Sequence, residues 1–261
     1  MVLSNKIKDS VVLRRLGFTK DQNGIISRYY REKNNWTAHL EKTKDFIIKS
    51  TKVYEGGKVA VLGSGWLLDL PLDDLLDIFT EVCLIDIVHP PQIKRKYKDH
   101  PRIRFIEKDI SGGLIKWTYN FVKENKRNKF LPSINEISLL KPELEEQFDF
   151  VISLNILNQL DILPGDYLQK YFPADKFDYR YFRSLIQKAH IEMLSASSGV
   201  IIADVEEEYY DDNNQYAGSK PSLFTELPNG KTEDEWDWKF DTHYTYKEDF
   251  KTVLKVKAVS F

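Results

Sequence analysis

Cysteine is nearly absent from this chain of 261 residues, which holds one, Cys83. A lone thiol excludes an internal disulfide framework and a cysteine zinc site. Histidine is sparse as well. The five, at positions 39, 89, 100, 190 and 243, show no metal-ligand spacing such as HExxH. No stretch reaches the roughly 18–20 apolar residues of a membrane span. The opening "MVLSNKIKDSVVLRRLGF" has no apolar run long enough for a secretory signal. Charge of one sign is missing too. Lys and Arg number 38 against 40 Asp and Glu, for a net charge of −2. That balance gives none of the concentrated positive field that nucleic-acid backbone binding needs. Two short basic runs, "KRKYK" at 94–98 and "KENKRNK" at 123–129, read as solvated helix faces or loops. The absences predict a cytoplasmic protein with no membrane partner, no evidence for a nucleic-acid partner, and no metal.

What is present is a core and a pattern. Apolar residues make up 42% of the chain and aromatics 13%, enough for a sizeable interior. Residues 1–50 read as a polar helical segment, with Trp36, Leu40, Thr43 and Ile47 on one stripe at helical spacing. Residues 51–261 read as the main domain, the two forming one globular unit. Nearly continuous apolar runs recur at Val59–Leu62, Val82–Ile87, Ile103–Ile106, Phe148–Leu154 and Val200–Val205. Helix-like runs separate them, at Pro71–Phe79, Gln92–Lys98, Leu114–Glu124 and Tyr181–Leu194. Strands apolar on both faces belong in a parallel sheet covered by helices, so the alternation predicts a doubly wound α/β fold. Pro71 suits a first helical position. The tail differs: "DEWDWKFDTHYTY" and "TVLKVKAVSF" alternate in polarity with no helix between them, and predict an antiparallel pair closing one sheet edge. Residues 125–147 read as an insertion and 206–234 as a long polar loop.

Ligands of open α/β sheets bind beyond the carboxyl ends of the strands, so the strand-end residues carry the chemistry. The first strand ends in Gly63, Ser64 and Gly65, where the missing side chains let ligand atoms reach the backbone. The second ends at Asp86, whose carboxylate can take two hydrogen bonds from ribose hydroxyls. The third ends at Asp109, which can accept from an adenine amino group. The fourth ends at Asn155.

These motifs together resemble the class I S-adenosylmethionine-dependent methyltransferase superfamily, over roughly residues 35–205. "VAVLGSG" resembles its first motif, "CLIDI" the acidic end of its second strand, "IEKDI" its adenine-side motif, and "FDFVISLNILNQL" its fourth-strand pattern. The resemblance implies a mostly parallel seven-stranded Rossmann-like sheet with a C-terminal antiparallel pair, and S-adenosyl-L-methionine as cofactor. It implies that Gly63, Ser64 and Gly65 lie against the methionine part. Asp86 with Ile87 would bind the ribose, Asp109 with Ile110 the adenine, and Asn155 would lie near the reacting methyl. The sequence departs from the pattern at Val61, where an acidic residue is frequent, and at Leu67, where a glycine is usual. Asp69 either replaces the missing carboxylate or caps the next helix. Asp69, Asp73 and Asp74 crowd that helix start and would repel a pyrophosphate, which favours a cationic cofactor over NAD.

No catalytic residue is assigned, because a positioned sulfonium needs no fixed triad. The acceptor would meet Asn158 and Gln159 after the fourth strand, and Trp36 and His39 on the first helix. "SRYYR" at 27–31 could line the same mouth. An exposed helix position is the simplest account of His39. The acidic run "DVEEEYYDD" could hold a divalent metal that orients a hydroxyl acceptor, or attract a cationic substrate, but charge runs in loops are usually solvated, and Trp236 and Trp238 suit an acceptor pocket or a strand face equally. The acceptor expected is a small molecule or a protein. Two alternatives stand beside this reading: a non-catalytic scaffold of the same fold that has lost its cofactor, and an NAD-dependent oxidoreductase.

Overall fold

A computed structural model describes residues 10–128 and 130–261. Residues 1–9 of the expected N-terminal segment, and Lys129 of the second basic run, lie outside the described residues. After a helical segment over 10–16, helix α1 runs from Phe18 to Thr51. Its inner stripe is the expected one, with Trp36, Thr43 and Ile47 buried and His39 and Phe46 added to it.

The alternating region then follows the predicted order. Strand β1 is Lys58–Leu62, β2 Glu81–Asp86, β3 Ile103–Glu107 and β4 Phe150–Leu154. Helices α2 (Leu72–Ile78), α3 (Pro91–Tyr97), α4 (Leu114–Asn125) and α7 (Tyr179–Leu194) lie where apolar periodicity put them. Pro71 sits one position before α2, as its cap residue, instead of on its first turn. Two short helices, α5 (Ile134–Ser138) and α6 (Ile162–Gln169), were not expected. In α6, "ILPGDYLQ" carries a proline and a glycine, which mask helical periodicity.

The sheet order is β3-β2-β1-β4-β5-β8-β7, where β5 is Gly199–Tyr210, β7 Thr232–Asp241 and β8 Lys251–Ser260. Strands β1 to β5 run parallel, and β8 pairs antiparallel with both β5 and β7. This is the doubly wound sheet with a closing antiparallel pair. The strand count differs from expectation, at eight rather than seven. The extra strand, β6 (Tyr216–Pro221), pairs with Glu206–Tyr210 of an extended β5. About half of the 206–234 segment, expected as a long loop, is therefore strand, with irregular stretches left at 211–215 and 222–231. Strand β4 reaches β5 only at Gly199–Ile202, opposite its own Val151–Leu154, so the far half of β5 has an open edge that β6 fills. Polar composition hid this, because an exposed ribbon has no apolar face to announce it.

Each face of the sheet carries its own core. Val59 and Val61 of β1 pack with Trp36, Phe46 and Trp238 on one face, while Ala60 and Leu62 pack with Leu114, Phe182 and Ile186 on the other. That alternation is the strand period of two applied to a strand buried on both sides. Among the described residues, no helix is long and apolar enough to cross a membrane.

Candidate functional site

A cavity of about 320 Å³ opens at the carboxyl ends of β1 to β4, covered by the first half of α1. Every site residue named from the sequence borders it: Gly63, Ser64, Gly65, Asp69, Asp86, Ile87, Asp109, Ile110 and Asn155, together with Trp36, His39, Asn158 and Gln159.

The glycine turn and Asp86 form one unit. The Gly65 N–H donates to Asp86 Oδ2 at 2.8 Å, and the Val88 N–H donates to Asp86 Oδ1 at 3.4 Å. The two glycines differ in what fixes them. Gly63 has φ of 79°, and a Cβ there would stand 2.7 Å from Ile156 Cβ and 2.8 Å from the Leu154 carbonyl oxygen. Packing forbids a side chain at Gly63 whatever binds nearby. Gly65 has φ of 44°, and its Cβ would meet only the Gly63 carbonyl oxygen, at 3.9 Å. Leu67, at the usual glycine position, keeps the glycine-like backbone with φ of 57°. The turn is irregular in residue type and regular in conformation.

Asp69 does not cap α2. It is half-buried and accepts from Asn155 Nδ2 at 2.7 Å, and α2 has no side-chain cap. Burial raises its pKa, against the lowering effect of Asn155. Asp86 and Asp109 are likewise raised by burial. Asp109 Oδ1 accepts the Ser111 N–H at 2.9 Å and also the Ser111 hydroxyl, so it orders the loop into α4. Ser64 Oγ lies 3.4 Å from His89 Nδ1, whose other nitrogen is 3.2 Å from the Ile106 carbonyl oxygen. A neutral His89 donating through Nε2 and accepting through Nδ1 satisfies both contacts.

The other wall is built by α1, β5, β7 and the segment after β7. His39 is buried, not exposed: it stacks on Trp238 with ring centroids 3.8 Å apart. Trp236 Nε1 donates to His39 Nδ1 at 3.0 Å, and burial drives the His39 pKa down to about 3. The imidazole is therefore neutral with its proton on Nε2, because an indole N–H only donates. Trp36 donates to the Phe240 carbonyl oxygen at 2.9 Å and stacks on Phe240. Within "SRYYR", Arg28 reaches the cavity while Tyr30 is exposed. Gln22 joins the roof to the strand ends, donating to the Val88 carbonyl and accepting Trp66 Nε1–H at its own carbonyl, at 2.8 Å.

Asp21, Phe240 and Tyr246 also line the cavity and were not singled out in the sequence, and Asp204 and Glu207 join them from the acidic run. Asp204 and Glu207 lie in the run read as solvated, yet both are buried. A register shift in the β5–β8 ladder between Asp204 and Glu206 makes the difference. The extra residue lets positions three apart face the same way. Strict alternation would not pair these two carboxylates, and bulges have no reliable sequence signal.

No protein-family model matches the chain, and neither does any curated protein. Among solved structures it is similar to a Burkholderia thailandensis 1,6-didemethyltoxoflavin-N1-methyltransferase with bound 1,6-didemethyltoxoflavin and S-adenosylhomocysteine. The identity there is 15%, over 92% of this chain and 86% of that one, with a TM-score of 0.40. It is also similar to the N-methyltransferase NodS from Bradyrhizobium japonicum WM9 in complex with S-adenosyl-L-homocysteine, at 11% identity over 83% and 85% of the two chains, TM-score 0.35. A coclaurine N-methyltransferase bound to N-methylheliamine and SAH follows at 9% identity over 85% and 70%, TM-score 0.39. The sheet order is what places the chain in its fold class: a doubly wound, mostly parallel sheet closed by an antiparallel pair and extended by one strand.

Proposed function

We propose that this chain is an S-adenosylmethionine-dependent methyltransferase acting on a small-molecule acceptor. One observation carries the reading: the Gly65–Asp86 unit, the Asp109 loop and the Asn155–Asp69 pair converge on one cavity at the strand ends. The residues fit the cofactor. The position a Gly65 Cβ would take is open, leaving room for a ligand against the turn. Asp69 and Asp86 supply carboxylates for an ammonium and for ribose hydroxyls, and Asn155 Oδ1 has no partner. Asp69 would do the work of the acidic residue missing at Val61. Bound there, the cofactor would supply an activated methyl group on a cationic sulfur.

The chain's own part is to bind, orient and exclude water. Trp66, Gln22 and the α1 roof cover the cavity, and bringing a nucleophile into line with the methyl supplies much of the rate. An anionic dinucleotide suits the site less well. Lys108, the basic residue at the strand-end wall, is paired with Glu145 at 3.0 Å. The carboxylates around it would repel a pyrophosphate.

The test is calorimetric titration with S-adenosylmethionine and S-adenosylhomocysteine, with NAD as control. Micromolar binding of both sulfur compounds, weakened at least about tenfold in Asp86→Ala, is the expected result. If folded protein binds neither, the scaffold reading replaces this one.

A further inference from the structure

We propose that the methyl acceptor is an amine on a planar apolar body, bound as its cation between Asp204, Glu207 and the aromatic wall of Trp36, Trp238 and Phe240. The inference rests on the methyltransferase reading and names the acceptor class for that same site.

The cavity is acidic. Asp21, Asp69, Asp86, Asp109, Asp204 and Glu207 line it, against Arg28 and Lys108. Both cations have acidic company, Lys108 at 3.0 Å from Glu145 and Arg28 at 4.0 Å from Asp241. Asp69, Asp86 and Asp109 belong to the cofactor side. Asp204, on β5, is buried and accepts from Asn158, with no cation within salt-bridge distance among the described residues. Glu207 is already held by Lys220 at 3.1 Å and by the hydroxyls of Tyr246 and Tyr209, at 3.0 and 2.9 Å. Among the described residues no group of three or more His, Cys, Asp or Glu side chains is set to hold a metal ion.

A second observation concerns the two amides beside these acids. Asn155 gives its amide N–H to Asp69, and Asn158 gives its own to Asp204. An ionised carboxylate only accepts, so both amide nitrogens face inward to it and both Oδ1 atoms are left over. Those two oxygens are buried without a partner. Unmade hydrogen bonds of buried acceptors are satisfied by a donor. A protonated amine brings several donors and the charge that Asp204 lacks. An alcohol brings one donor and no charge, and an acid brings repulsion. The aromatic side chains then suit both the body and the cation, through cation–π contact. On the same wall, Arg28 Nε, His39 Nε2 and Trp238 Nε1 also lack hydrogen-bond partners.

The reaction balances without an outside reagent. The ammonium gives one proton to Asp204 or Glu207 and so frees its lone pair. The nitrogen attacks the methyl carbon, a C–N bond forms, and the C–S bond breaks with its electrons going to sulfur. The methylated amine leaves as a cation.

The test titrates the full chain calorimetrically at neutral pH, with and without S-adenosylhomocysteine, using matched probes: phenethylamine, phenethyl alcohol and phenylpropionate, then tryptamine, tryptophol and indolepropionate. Each amine is expected to bind at least about tenfold more tightly than its alcohol and acid. Asp204→Asn should remove most of that preference and leave S-adenosylhomocysteine affinity within about twofold. Glu207→Gln is the second variant should Asp204→Asn lower the melting point. No preference for the amines, including no binding of any probe, overturns the proposal. Amine preference without S-adenosylhomocysteine binding leaves an amine site and overturns the transfer reading instead. Incubation with S-adenosylmethionine should add one methyl mass to the amine and none to the alcohol.

Discussion

Asn155 donates to Asp69 at 2.7 Å from a left-handed backbone, with φ of 48°. One residue thus meets two demands at the end of β4: an amide donor for a half-buried carboxylate, and a conformation that asparagine tolerates better than most side chains. Asn155→Gly keeps the backbone freedom and loses the bond, so it should destabilise by about 1.5–3 kcal/mol, the range for hydrogen bonds to charged groups. Asn155→Ala loses both and should be worse by roughly a further 1 kcal/mol. Urea denaturation of the two variants separates the contributions.

Gly63 and Gly65 should fail in different ways. Gly63→Ala meets Ile156 Cβ at 2.7 Å and the Leu154 carbonyl oxygen at 2.8 Å. It is expected to lose about 1–3 kcal/mol from overpacking, with the left-handed strain added. Gly65→Ala has open space and only the strain, roughly 1 kcal/mol. It should fold, while its new methyl occupies the space a cofactor would use. A melting curve beside a titration with S-adenosylhomocysteine reads the contrast. A Gly65→Ala protein that binds as tightly as wild type would count against the turn as a binding element.

Glu32 ties α1 to the segment after β7. It is buried and accepts from the Thr242 N–H at 2.8 Å, the Thr242 hydroxyl at 2.9 Å, Asn35 Nδ2 at 2.8 Å and His243 Nδ1 at 2.6 Å. Glu32→Ala should cost about 2–4 kcal/mol, since several donors lose a charged acceptor at once. Hydrogen exchange should rise in α1 and in residues 242–246 before it rises in β1 or β4.

His39 and His190 should stay neutral in mild acid. Burial holds their pKa down to about 3 and about 4, against about 6.5 in an unfolded chain. The unfolded state therefore binds protons that the folded state refuses. The stability these histidines contribute is complete above about pH 6.5 and falls as pH drops toward their folded values, by about 1.4 kcal/mol per unit for each. Asp69, Asp86, Asp109 and Asp204, whose pKa values are raised by desolvation, work in the opposite sense. NMR isolates the histidines: their ring-proton shifts should not move between about pH 7 and pH 5. Titration of either ring in that range would overturn the prediction.

The parallel half of the molecule was legible because its strands are buried on both faces. A run such as Val59–Leu62 has no alternative to a central strand once helix-like runs flank it, and both of its faces are in the core. The residues at the ends of those strands were legible for the same reason, since the sheet delivers them all to one edge. Leu67 hid nothing in the end, because a leucine can be held at φ of 57° when the turn around it demands that conformation. Asp69 was left between two roles in the sequence, and the structure removes the capping one, since α2 has no side-chain cap and Asp69 accepts from Asn155 instead.

The sequence by itself determined the order of the parallel strands, the closing antiparallel pair and the strand-end residues, because each follows from local period and spacing. The tertiary structure alone decided which side of the cavity each acid faces. Asp204 and Glu207 turn inward through one extra residue in a ladder, His39 is buried by two tryptophans about two hundred positions along the chain, and β6 exists because β4 stops short. Those outcomes depend on contacts between segments far apart in sequence, where no local pattern carries the information.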